Sequence, residues 1–85
     1  MYSLEKDLVF MFFERVIRHE PVVTIIKDEK ISEEFELLAT SNEGNLLHLE
    51  GDEIFLSFDI SDVKYRYDMV DEFITKNGEI IQVVF

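Results

Sequence analysis

The stretch Asp62–Lys76, DVKYRYDMVDEFITK, reads at two periods, and the choice between them decides the fold. Val63, Tyr67, Val70 and Ile74 recur at helical spacing with Phe73 beside them. Ser61 stands where a cap would, and Asn77-Gly78 stands where a helix would end. Yet Tyr65, Tyr67 and Met69 also alternate at the period of a strand. The longer pattern favours a helix over 62–76. The competing reading is a strand followed by a shorter helix from Asp68.

Around this segment the periods are clearer. Ile54, Leu56, Phe58 and Ile60 alternate with Phe55, Ser57 and Asp59, the pattern of a half-buried strand. Leu47 and Leu49 form a second alternating unit ahead of the tight Glu50-Gly51-Asp52 turn. Before the Ser41–Asn45 loop, Phe35, Leu37 and Ala39 alternate with Glu34, Glu36 and Leu38. Val22–Ile26 is β-branched throughout, so composition makes it a strand, and Lys27–Lys30 follows it as a turn. Residues 79–85 read as a last strand, apolar up to Phe85 and suited either to a sheet centre or to a dimer seam.

At the other end, Ser3–Glu20 reads as a helix capped by Ser3, with Glu5 and Asp7 near its positive end and Pro21 as its stop. Val9, Phe10, Phe12, Phe13, Val16 and Ile17 fall on one apolar arc, with Asp7, Glu14, Arg15 and Arg18 largely opposite. The expected fold is therefore α+β: one antiparallel sheet of four to five strands with two helices packed on one face. The expected order is α-β-β-β-β-α-β, since connections this short leave no room for parallel crossovers.

With 85 residues, 47% of them apolar and including eight Phe and three Tyr, residues 1–85 are expected to form a single acidic domain with a real core. That aromatic content argues against disorder, the usual state of strongly acidic chains. There is no Cys, hence no disulfide and no thiolate chemistry. The longest apolar run, Leu8–Phe13, is far short of the ~20 residues that cross a bilayer, and no signal-peptide pattern is present. A cytoplasmic protein that avoids membranes is expected.

Charge supplies the functional expectation. Between Ile31 and Val63 there are nine carboxylates and no Lys or Arg, within a chain of net charge −11. Such a field repels phosphate backbones, which excludes direct nucleic-acid binding. It favours a partner with a basic surface, for which charge complementarity sets encounter rate and specificity. Affinity would come from an apolar anchor, and Phe55, Tyr65 and Met11 are the large side chains whose local period turns them outward. The expected partner-binding set is Glu34, Glu36, Glu50, Asp52, Glu53, Phe55, Asp59 and Tyr65. The chain then reads as a non-enzymatic binding module, an inhibitor or immunity-like partner of a basic protein. A nucleic-acid-binding enzyme, met by mimicry of its ligand, is one version.

Two other readings compete. In one, the acids only solubilise a homo-oligomer, a dimer being built through the helices or the C-terminal strand. In the other, Asp59 with Asp62, Asp68 with Asp71 and Glu72, or Glu50 with Asp52 and Glu53 would hold a divalent cation. None of these clusters matches a metal motif, and helix capping and solvation account for them, so no metal or cofactor is expected. His19 and His48 are the only histidines, and none of the serines lies in a nucleophile-elbow context, so no catalytic residue is assigned.

Overall fold

A computed structural model describes the backbone of residues 2–85 and the side chains of residues 7–85. Helix α1, Tyr2–Val16, runs into a 3-10 turn at Ile17–His19. Eight strands follow: β1 Val22–Lys27, β2 Lys30–Glu36, β3 Ala39–Glu43, β4 Leu46–Gly51, β5 Ile54–Asp59, β6 Lys64–Tyr67, β7 Asp71–Ile74 and β8 Ile80–Val84. A second 3-10 turn, Ile60–Asp62, separates β5 from β6. The strands form two antiparallel sheets, ordered β2-β1-β8-β7-β6 and β3-β4-β5. The expected single sheet with two helices is thus overturned, and the described residues contain one α-helix.

The second helix gives way to a hairpin because two adjacent side chains are buried on opposite sides. Glu72 and Phe73 are adjacent, yet both are buried. A strand sends neighbours to opposite faces. Phe73 therefore enters the core, while Glu72 lies on the far face, where Arg66 Nε donates to it at 2.5 Å and Gln82 Nε2 at 2.7 Å. A helix would place these two side chains only about 100° apart, on one face. The register Tyr65↔Phe73, Arg66↔Glu72 and Tyr67↔Asp71 closes the hairpin, whose turn carries Met69 at a φ of 65°. Asp68, Asp71 and Glu72 consequently share no helical face.

Helix α1 is shorter than its apolar arc suggests, because Pro21 acts upstream. Glu20 is driven out of the helical region to a φ of 46°, and the preceding turn tightens to 3-10. The Ser3 and Glu5 side chains expected at its start lie outside the described residues. Val9, Phe13 and Val16 are buried, with Phe10, Phe12 and Ile17 packed at the margin.

One core joins both sheets through this helix. Phe13 lies 5.0 Å from Phe73 of the larger sheet and 6.4 Å from Phe58 of the smaller one, ring centre to ring centre. Val23, Ile25, Phe35, Ile81 and Val83 supply the inner face of the larger sheet, and Leu47 and Leu49 that of the smaller. Full burial of a Phe of this kind contributes roughly 1.5–3 kcal/mol. The sheets approach each other closely at Gly51: a Cβ there would stand 2.6 Å from Phe35 Cδ2 and 3.0 Å from the Glu36 carbonyl oxygen. Only glycine admits that approach. Strand β8 is paired on both sides, by β1 and β7, so its backbone presents no open edge for a dimer seam.

Candidate functional site

The three-stranded sheet gathers five of the eight expected partner-binding residues, Glu50, Phe55 and Asp59 on its solvent face and Asp52 and Glu53 in the β4–β5 turn. Register places Ala39, Glu50 and Phe55 in one cross-strand row, Ser41, His48 and Ser57 in the next, and Glu43, Leu46 and Asp59 in the third. All nine side chains face away from Leu47 and Leu49, which fill the core. Phe55 remains 62% exposed. Its ring stacks on the His48 imidazole, with centroids 5.2 Å apart and planes at 28°. His48 Nδ1 in turn meets Ser57 Oγ at 2.6 Å. The phenyl ring therefore lies against an imidazole platform.

Carboxylates surround this platform. Glu50 is the direct cross-strand neighbour of Phe55. Asp52 and Glu53 form the two-residue β4–β5 turn, where Glu53 takes a φ of 65° and both side chains are exposed. Asp59 Oδ1 accepts hydrogen bonds from Ser61 N at 2.9 Å and Ser61 Oγ at 2.5 Å, which ties it to the start of the 3-10 turn. Asp59 therefore has a capping task. Across Ala39–Asp59 there is no Lys or Arg.

The other expected residues are dispersed by the strand order. Glu34 and Glu36 lie on β2 and Tyr65 on β6, the two opposite edges of the larger sheet. Glu36 still reaches the hairpin end of the smaller sheet, through its carbonyl beside Gly51, and the next turn is pinned by Leu38 N donating to Glu50 O at 2.9 Å. Its carboxyl is raised above the usual range, first by a hydrogen bond with Glu20, then by that residue's charge and by desolvation. Glu34 accepts from Thr24 Oγ1 at 3.4 Å on the outer face of the larger sheet. Tyr65 and Phe55 belong to different sheets. The Tyr65 ring packs 5.2 Å from Phe73, and its hydroxyl donates to Asp71, an interaction that pushes the phenol up to about 12. Tyr65 thus belongs to a separate surface beside α1.

His48, Ser57 and Leu46 are the members of the site that sequence reasoning did not name. The alternation of His48 with Leu47 and Leu49 turned it outward, but only the pairing of β4 with β5 puts it beneath Phe55. The His48–Ser57 distance would suit proton transfer, yet the pair lies on an open strand face with Phe55 over the ring. What the arrangement offers chemically is a rigid aromatic anchor in a carboxylate frame. Among the described residues, no three His, Asp or Glu side chains converge as a metal site, and no helix is long and apolar enough to cross a membrane. The chain matches no protein-family model, and neither a curated protein nor a solved structure matches it.

Proposed function

We propose that the protein is a small non-enzymatic binding module that engages a basic protein surface through the outer face of its three-stranded sheet. The observation that carries this reading is Phe55: a large apolar side chain, 62% exposed, fixed on His48 and paired across the strands with Glu50. An interface of this kind uses a central aromatic anchor and a polar rim. Glu50, Asp52 and Glu53 steer the encounter, with Glu36 extending the field along the neighbouring edge. Phe55 supplies most of the affinity once the partner has docked. A partner that ordinarily holds nucleic acid fits the same chemistry, because its surface is built to meet closely spaced negative charge.

Association kinetics test the steering role. Reversing Glu50, Asp52 and Glu53 to Lys should slow association with the captured basic partner by at least tenfold at low salt and flatten its salt dependence. An unchanged association rate and salt slope would contradict the reading.

A further inference from the structure

We propose a second binding site, separate from the Phe55 face: a groove between α1 and the β6–β7 hairpin that accepts a small organic anion with an apolar body. The groove encloses about 640 Å³, within the size range of small-molecule pockets. Leu8, Val9 and Phe12 of the helix form one wall, and Val63, Tyr65 and Phe73 form the other. None of these comes from β3, β4 or β5. Phe12, Tyr65 and Phe73 pack as a connected aromatic set, with ring centres 5.1 to 6.4 Å apart. Such a wall suits an aliphatic chain or an aryl ring.

The charged side chain at the groove chooses the ligand's head group. It is Arg15, one of eight basic residues in a chain of net charge −11; Lys64 borders the groove on β6, but strand alternation turns its side chain to the far face with Arg66. Among the described residues neither makes an ion pair, the pair formed there being Arg66–Glu72. No carboxylate lines the groove among those residues. Asp71, beyond the aromatic wall, is engaged by the Tyr65 hydroxyl. The acids of the Phe55 face oppose an anion only weakly at a distance, since physiological salt screens charge over about 8 Å. A planar guanidinium matches a carboxylate in a bidentate manner, and the aromatic wall then covers the tail. The assigned ligand class is a carboxylate-headed amphiphile of medium chain length or with an aryl tail.

Titration followed by two-dimensional NMR tests the assignment, with decanoate, decanol and decylamine as probes. Decanoate should saturate at one equivalent and shift the resonances of Val9, Phe12, Val63 and Phe73. It should bind at least tenfold more tightly than decylamine. Arg15→Gln, at an exposed position, should weaken decanoate by tenfold or more and leave decanol unchanged, with the amide spectrum otherwise preserved. Filling the groove with Val63→Phe should reduce all three probes together. Equal binding of decanoate and decylamine, shifts scattered outside the groove, or no saturable shift would overturn the proposal. Each of these outcomes is independent of partner binding at Phe55.

Discussion

Phe55 stacks on His48 with ring centres 5.2 Å apart, a diagonal contact between β4 and β5 that keeps the larger side chain at the surface rather than under it. The contact adds little to the fold, since one face of the phenyl ring stays in water. Phe55→Ala should therefore change unfolding free energy by no more than about 0.5–1 kcal/mol, as judged by urea titration. A loss as large as that of a core Phe, about 3 kcal/mol or more, would place Phe55 among the structural residues instead.

Glu72 is the most consequential polar group of the larger sheet. Only 4% exposed, it accepts from Gln82 and Arg66, and those hydrogen bonds hold its carboxyl below the usual carboxylate range despite the opposing effect of burial. A carboxyl depressed in the folded state adds stability above its unfolded pKa, and that stability disappears as pH falls through the folded value. Glu72→Gln should cost about 1–3 kcal/mol at pH 7. The cost should shrink as the pH is lowered through the acid range, measured by urea unfolding at stepped pH.

Glu36 has the opposite sign. Its carboxyl is raised by Glu20, so the folded protein disfavours the charged form. Stability from this pair is complete below the unfolded carboxylate pKa and falls as pH rises through the folded value. Glu36→Gln should raise the midpoint of thermal unfolding at pH 7 and have little effect near pH 3. A variant less stable than the parent at neutral pH would show that the Glu36 carboxylate has a favourable partner there.

Gly51 lies at a close approach of the two sheets. Its missing Cβ leaves room for Phe35 and for the Ile54 side chain, whose Cγ2 would lie 2.9 Å from an added methyl. Gly51→Ala should destabilise by about 1–3 kcal/mol, the usual cost of overpacking. Gly51→Ala combined with Phe35→Leu should recover part of that loss. Equal losses in the single and double variants would mean that Phe35 is not what the methyl meets.

The parts legible in the sequence were those set by local period. The apolar arc of α1, the alternation of β5 and the outward aim of Phe55 all follow from side chains a few residues apart. What misled was Asp62–Lys76, in which Val63, Tyr67, Val70 and Ile74 keep helical spacing by coincidence. Its strand state depends on β8, because Phe73 pairs with Ile81 and Glu72 with Gln82, contacts invisible to any local window. The division into two sheets was hidden for a similar reason. Nothing local to Leu37-Leu38 announces that the chain leaves one sheet for another, and the tolerance of Gly51 for Phe35 is a tertiary fact. The expected partner-binding set is divided for the same reason: Glu34 and Glu36 lie on one edge strand of the larger sheet and Tyr65 on the other, apart from Phe55 in the smaller sheet.

Phe55, framed by acids, is the proposed docking anchor for a basic protein. Affinity capture from the source cell with the parent chain and Phe55→Ala side by side, quantified at low and high salt, measures this most directly. A basic protein should be retained by the parent, released at high salt, and lost from Phe55→Ala by an affinity drop of about 2 kcal/mol or more, near thirtyfold. Equal retention of the same proteins by both chains, with the same salt dependence, would contradict it.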